Sequence, residues 1–225
     1  MRSLAGVLAV VSGLGCGAGA ASGPPAEPTA RAAVPWPVPA GFRSETIPFP
    51  LEFAPGILHK GVEELRFAPG FFDPAAPGYW SYTFAWRTED PAALDAAAVA
   101  GELTAYFRGL IDAVDDTKQI ADRGAIVATA VADGARFVLA AHVFDAFKTK
   151  QPLDLVGWAE RTACGPGALW RFVLAPATSA LRPQLEALAA SAACDQPVPP
   201  PPPPHPAAPP GPPSPAGPAA PPPAR

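Results

Sequence analysis

The clearest alternation of large and small side chains in the chain lies between residues 80 and 87. Aromatic side chains occupy every second position there: Trp80, Tyr82, Phe84 and Trp86. The positions between them hold small or wettable side chains: Ser81, Thr83, Ala85 and Arg87. A period of two places successive side chains on opposite sides of a β-strand. We therefore expect a strand with a heavy face, which anchors a core, and a light face of small or wettable side chains.

Two further stretches before this strand are extended in pattern. Residues 64–67 alternate polar and apolar side chains, and a Pro/Gly-rich loop around Asp73 separates them from the aromatic strand. Residues 42–53 also alternate, but Pro48 and Pro50 interrupt them. Because proline donates no ladder hydrogen bond, we expect an edge strand or an extended strap there.

A long amphipathic helix is predicted after the aromatic strand. Asp90 and Pro91 have the chemistry of a cap and a first helical position. Apolar side chains then recur at intervals of three and four: Val99, Leu103, Tyr106, Phe107, Leu110, Ile111 and Val114. The pattern predicts about six turns of helix, ending near Asp115.

The second half of the chain alternates β-rich runs with turns. Asp133 and Gly134 stand between the runs 126–131 and 136–147, which is a strong hairpin pattern. Residues 153–162 and 169–174 supply two more strands around a Gly-Pro-Gly turn. A closing helix follows at residues 181–192, with Pro183 in its first turn.

These elements predict a single α+β domain over residues 41–195. Tight turns between consecutive strands imply an antiparallel sheet, here of about six strands, and the two helices are expected to cover it in a two-layer arrangement. This layout, with a long helix across a curved sheet, resembles the helix-grip architectures that enclose apolar ligands. The resemblance implies a carrier of an apolar ligand as one alternative.

Both ends of the chain differ from this domain in composition. Half of the 34 prolines lie between Pro197 and Pro223, so residues 196–225 are expected to be a disordered proline-rich tail, a spacer or stalk. Residues 21–40 are rich in Pro and Ala, with few large side chains. They are expected to form a disordered tether, with Trp36 as the exception that either packs onto the domain or starts it.

Residues 1–20 have the layout of a bacterial export signal. A positive start at Arg2 precedes a short apolar run and small residues. Two processing sites fit. Cleavage after Ala20 would release a soluble chain, whereas Leu14, Gly15 and Cys16 resemble the end of a lipobox, which would leave Cys16 acylated. We expect an exported protein, in the periplasm, anchored to the outer membrane or extracellular, with membrane contact only through that lipid.

The two remaining cysteines, Cys164 and Cys194, are expected to form a disulfide in an oxidising compartment. No second Cys or His stands at ligand spacing near either one, so no metal site is expected. The net charge is −4 and the cations are scattered, which argues against a nucleic-acid partner. Nucleotide-binding glycine loops are missing from the sequence, and no cofactor is expected.

Candidate chemistry is sparse. His142, in a predicted strand, could act as a general base oriented by Asp145 or Glu160. Adjacent Glu63 and Glu64 would point to opposite sides of a strand, so a paired-carboxylate site is not expected.

Two further groups of side chains have a surface interpretation. The acids Asp112, Asp115 and Asp116 are expected to form a solvated patch. Phe71, Phe72 and Tyr79 lie in or beside a loop, where not all can be inside, and are the candidates for a contact surface.

We therefore expect an exported envelope protein with a non-catalytic binding or scaffolding domain, whose partner is an envelope component or a small ligand. The alternatives are a secreted hydrolase working through His142 and the helix-grip carrier described above.

Overall fold

An antiparallel sheet of seven strands forms the centre of the protein, in a computed structural model that describes residues 34–91, 93–115, 118–120 and 122–200. Its spatial order is β1-β2-β3-β7-β6-β5-β4. The strands are β1 (Arg43–Pro48), β2 (Gly61–Phe67), β3 (Tyr82–Thr88), β4 (Val127–Asp133), β5 (Arg136–Phe144), β6 (Pro152–Cys164) and β7 (Gly167–Pro176). The helices are α1 (Ala96–Val114), a 3₁₀ turn (Arg123–Ala125) and α2 (Arg182–Ala190).

The chain builds the sheet as two meanders joined by α1. Strands β1 to β3 pair in sequence order, α1 then carries the chain to the far edge, and β4 to β7 return until β7 pairs with β3. The α+β class is confirmed. The seventh strand is β1, which pairs with β2 from Arg43 to Pro48 at the edge of the sheet.

The aromatic row of β3 packs beneath α1 in the larger core. Phe84 stacks on Phe172 at 4.4 Å between ring centroids, and the Tyr106 ring lies nearly parallel to Phe84 at 5.9 Å. Burying one such ring removes about 150 to 250 Å² from water, so the row anchors the core. Trp80 is buried in the same core but precedes the strand, with a φ of 46°.

The light face of β3 is covered by other elements and does not face water. Ser81, Thr83 and Ala85 are fully buried, because α2 and the segment around Trp36 pack on this face. Helices α1 and α2 thus lie on opposite faces of the sheet. The predicted two-layer arrangement therefore holds only for the part of the sheet that α2 does not cover. A row of small side chains on a strand can pack against a short helix.

The folded part of the chain begins earlier than residue 41. Trp36, the exception within the tether segment, packs onto the domain: it is buried, and its indole Nε1 donates a hydrogen bond to the carbonyl of Leu188 at 2.9 Å. Its ring also lies 4.2 Å from the guanidinium carbon of Arg66. Residues 34–40 are therefore part of the structure on the α2 side.

Helix α1 begins at Ala96, later than predicted. The carboxylate of Asp95 caps it by accepting the backbone N–H of Ala98 at 2.8 Å. Asp90 and Pro91 precede the helix, because Asp95 is the acid that stands one turn before the first buried position, Val99. In α2, a proline in the first turn is confirmed.

A disulfide bond joins Cys164, at the end of β6, to Cys194, after α2, with a Cα–Cα distance of 5.5 Å. The predicted pairing is confirmed. The expected export signal over residues 1–20, including Cys16, and the tail beyond residue 200 lie outside the described residues. Among the described helices none is long and apolar enough to cross a membrane.

Candidate functional site

A cavity of about 350 Å³ lies between the C-terminal half of α1 and the outer strands of the sheet. Of its fifteen lining residues, all but Arg43 and Glu45 are apolar or aromatic. Its floor consists of strand side chains: Arg43, Glu45, Ile47, Leu65, Phe67 and Tyr82. Its roof consists of helix side chains: Tyr106, Leu110, Ala113 and Val114. It is an apolar space with charge only on β1.

The cavity follows from the path of α1. The helix packs along β4 and β5 and so leaves the β1 side of the sheet less covered. Gly109 sets the height of the roof there, because a Cβ at this position would lie 1.9 Å from the carbonyl oxygen of Phe53. The exposed lining residues are Arg43, Glu45 and Ala113, so the opening lies between β1 and the end of α1.

Aromatic side chains from the loop before β3 form one wall. The ring of Phe71 lies 4.8 Å from that of Phe67 and 4.9 Å from that of Phe72, and Phe72 lies 5.0 Å from Phe147. Phe71 is buried and Phe72 half-buried, and both line the cavity. Two of the three residues expected at a contact surface therefore line the cavity.

Tyr79, the third of these residues, does not line the cavity. Its hydroxyl donates a hydrogen bond to Oδ2 of Asp145 at 2.7 Å, and burial raises its pKa to about 12. Tyr79 therefore ties the loop before β3 to the turn after β5.

Glu63 is a fully buried acid in the row that forms the cavity floor. Its neighbours across the sheet are Ile47 on β1 and Trp86 on β3. The indole Nε1 of Trp86 donates to Oε1 at 3.0 Å, and the hydroxyl of Tyr106 donates to Oε2 at 3.5 Å. Burial raises the pKa of Glu63 to about 8, so the carboxyl is protonated at neutral pH. Sequence reasoning placed it on the opposite side from Glu64 but did not predict its burial.

Glu64 points to the other face, where it is also fully buried but ionically paired. Its Oε1 lies 3.3 Å from Arg66 Nη2 and its Oε2 lies 2.5 Å from Arg87 Nε. Two guanidinium groups compensate for the desolvation of this carboxylate. The group holds the α2 face together and lies away from the cavity.

An open groove of about 580 Å³ adjoins the cavity and shares Arg43, Phe71 and Phe72 with it. Two exposed cations, Arg43 and Lys148, line this groove. The guanidinium carbon of Arg43 lies 5.2 Å from the centroid of the Phe72 ring. The acid in the groove, Asp73, accepts the backbone N–H of Ala75 at 3.0 Å.

A third groove runs along the outer side of β1. It contains Pro199 and Pro200, the last described residues of the tail, and shares Arg43, Glu45, Phe67 and Phe72 with the cavity lining. The beginning of the proline-rich tail is thus next to the cavity wall.

The hydrolase candidates are not brought together. His142 Nδ1 lies 2.7 Å from Oδ1 of Asp154, its cross-strand neighbour on β6. Glu160 pairs with Arg136 at 3.0 Å instead. His142 and Asp154 lie on the side of the sheet opposite α1 and line none of the cavities described above.

Asp145 is buried and organises the turn after β5. Its carboxylate accepts backbone N–H groups of Phe147, Lys148 and Thr149 at 3.0, 3.1 and 2.7 Å. Burial acts to raise its pKa, but these hydrogen bonds and that from Tyr79 outweigh burial and hold the pKa at about 2. A carboxylate engaged in this way orients a turn and does not orient His142.

A second histidine has a carboxylate partner that sequence reasoning missed. His59 Nε2 lies 3.0 Å from Oε2 of Glu102 on α1, and its ring meets that of Phe49 edge-on at 5.6 Å. This pair fastens α1 to the segment before β2. A separation of 43 residues gave no sequence indication of it.

The expected solvated acidic patch is only partly exposed. Asp115 is buried and accepts the backbone N–H of Ile120 at 3.0 Å, with Arg123 Nη2 at 3.3 Å from the same oxygen. Asp112 is exposed, and Asp116 lies outside the described residues. In the described part of the chain, no group of three or more His, Cys, Asp or Glu residues is arranged to hold a metal ion.

Compared with protein-family models, curated proteins and solved structures, the chain matches none significantly.

Proposed function

We propose that this chain is an exported, non-catalytic binding protein of the bacterial envelope whose cavity under α1 holds an apolar small molecule. The observation that carries this proposal is the cavity, with two charged residues among fifteen in its lining. Its volume falls in the range of about 300 to 1,000 Å³ that is usual for small-molecule sites.

The lining supports an apolar occupant over a polar one. Its polar atoms are few, and the nearest buried acid, Glu63, is neutral because its pKa is about 8. A bound hydrocarbon would gain about 25 cal/mol for each Å² of apolar surface removed from water. Binding therefore requires no charged contact inside the cavity.

The placement of the polar candidates supports a non-catalytic role. His142 lies on the other side of the sheet from the cavity, while Asp145 and Glu160 are engaged by the turn and by Arg136. The cavity itself presents no nucleophile next to a base. Binding is thus the function that the geometry favours.

Loading of the cavity is tested with an environment-sensitive apolar dye and two variants of α1. Ala113→Trp places a large ring at the opening, whereas Ala97→Trp makes the same change at an exposed position near the start of the helix. We expect the purified protein and Ala97→Trp to bind the dye equally, and Ala113→Trp to bind it at least tenfold more weakly. Equal binding by all three proteins would reject the cavity as the site.

Export is tested separately by the intact mass of the mature protein from cells. A start at Ala21, or an acyl adduct on Cys16, together with the loss of two hydrogens for the disulfide, is the expected result. Recovery of the chain with Met1 attached and both later thiols free would contradict the proposed location.

A further inference from the structure

We propose that the cavity and its adjoining groove together bind a single-chain fatty acid, with the hydrocarbon in the cavity and the carboxylate outside at Arg43 and Lys148. This inference rests on the proposed binding function and adds the class and the orientation of the ligand.

The two spaces are arranged like the two parts of an amphiphile. The inner one is apolar, and the outer one is open to solvent and bears two cations. Phe71 and Phe72 form the wall common to both, and Arg43 stands at their junction. An extended molecule leaving the cavity past Phe72 would therefore place its end beside Arg43.

Arg43 is available for such a contact. Within the part of the chain that the structure describes, its guanidinium makes no ion pair or hydrogen bond, and it lies against the face of Phe72. The ammonium of Lys148 has no ion pair among the described residues either. A planar guanidinium can bind both oxygens of a carboxylate, and the ring beneath it fixes its plane.

Desolvation determines the direction of the ligand. The lining of the cavity is apolar or aromatic apart from Arg43 and Glu45, and both of these residues are exposed at the opening. A carboxylate placed at the inner end would lose its hydration without a cation to compensate for it. The head group is therefore directed outwards, to the two cations.

The volume selects one chain. At about 30 Å³ for each water-sized group, a cavity of about 350 Å³ holds roughly a dozen such groups. A single chain of medium length fits, whereas two acyl chains of the same length would not.

The test compares four probes of one chain length below their micelle concentrations: dodecanoate, dodecanol, dodecylammonium and dodecyl phosphate. Affinities are measured by tryptophan fluorescence and calorimetry for the purified protein, the double variant Arg43→Gln/Lys148→Gln, and Lys60→Gln as a control. Lys60 is exposed and precedes β2 at the end of that strand away from the cavity. Its replacement removes a charge at a distance from the site.

We expect dodecanoate to bind most tightly, about tenfold more tightly than dodecanol, as one charge-assisted hydrogen bond would give. The double variant should lose this difference between dodecanoate and dodecanol, whereas Lys60→Gln should keep it. Equal binding of dodecanoate and dodecanol, or tighter binding of dodecylammonium or dodecyl phosphate, would overturn the fatty-acid assignment and leave the apolar site intact. Failure of all four probes to bind would reject both proposals.

Discussion

Glu63 lies in an unusual environment for an acidic side chain, because it is fully buried. It is an acid with no cation partner among the described residues, buried beside Trp86 and Tyr106, with a pKa of about 8 against an ordinary value of 4.5. Between these values the folded protein keeps a proton that the unfolded chain has lost. The contribution of Glu63 to stability is therefore greatest below pH 4.5, falls by about 1.4 kcal/mol for each pH unit above it, and levels off beyond about pH 8.

Glu63→Gln should remove this dependence, because the amide keeps the shape of the side chain without a titrating proton. We expect the variant to match the original protein near pH 4.5 and to be more stable by a few kcal/mol at pH 8.5, as measured by urea unfolding. Glu45→Gln, a change of the same type at an exposed acid on β1, should have little effect. If the unfolding free energies of Glu63→Gln and the original protein changed in parallel with pH, the raised pKa of Glu63 would be contradicted.

Asp145 has the opposite dependence on pH. Its pKa is about 2 in the folded protein against an ordinary value of 3.8, so its contribution is complete above pH 3.8 and is lost as pH falls towards 2. Asp145→Ala should cost about 2 to 3 kcal/mol at neutral pH, because three N–H groups and the Tyr79 hydroxyl lose their acceptor. Asp154→Ala, at an exposed acid, is the control. Equal unfolding midpoints in urea for the two variants would be inconsistent with this role.

At this scale the sequence predicts some features and not others. The row of Tyr82, Phe84 and Trp86 follows from period two alone, and the pairing of Cys164 with Cys194 follows from counting. The burial of Glu63 depends on which strands and which helix lie against it, and these come from residues distant in the sequence. The partners of His142 depended in the same way on the register of β5 with β6.

Helix α1 contains two glycines, Gly101 and Gly109, with very different space around them. A Cβ added at Gly101 would have no other atom within 4 Å, whereas one at Gly109 would meet the carbonyl carbon of Phe53 at 2.8 Å and its oxygen at 1.9 Å. Alanine is normally better than glycine in a helix by about 1 kcal/mol. The two glycines should therefore respond to the same change with opposite signs.

Gly101→Ala should stabilise the protein by about 1 kcal/mol, whereas Gly109→Ala should destabilise it because α1 must move away from the backbone of Phe53. Urea unfolding measures both changes. The same displacement raises the roof of the cavity, so dye affinity should change in Gly109→Ala and not in Gly101→Ala. Stabilisation by both substitutions would show that the close approach at Gly109 imposes no constraint.

The disulfide acts on the other helix. It closes a segment of 30 residues between β6 and the end of α2, and its loss through Cys164→Ala/Cys194→Ala should cost roughly 3 to 4 kcal/mol. Reductant should produce a similar loss in the original protein and none in the double variant. Dye binding under native conditions should be unchanged, because α2 covers the face opposite the cavity. An unfolding midpoint insensitive to reductant would exclude this role.

Most helices and strands could be predicted from the sequence, but the face of the sheet on which each helix packs could not. The apolar stripe placed α1 correctly from Val99 onwards, and the Asp-Gly turn placed the hairpin of β4 and β5. The start of α1 was wrong because Asp90 and Asp95 both have capping chemistry. The side chosen by α2 was not predictable, since a row of Ser81, Thr83 and Ala85 is equally compatible with water and with a small helix.

For the whole molecule, the cavity results from a mismatch between one helix and a sheet of seven strands. Helix α1 packs on β4 and β5 and cannot also cover β1. The position of the cavity and its aromatic wall depend on where the loop of Phe71 and Phe72 folds back. The local sequence pattern does not predict where this loop folds back against the sheet.

The chain forms three strands before α1 and four after it. The fold can therefore be divided into two segments at the connection that follows α1. Residues 34–115 hold β1 to β3, α1 and every lining residue of the cavity except Phe147, and residues 122–200 hold the other four strands and α2. A cut in the short connection between them should yield two complementing fragments that reassociate along the seam of β3 and β7. Recovery of native circular dichroism on mixing would show that the two segments complement each other along that seam.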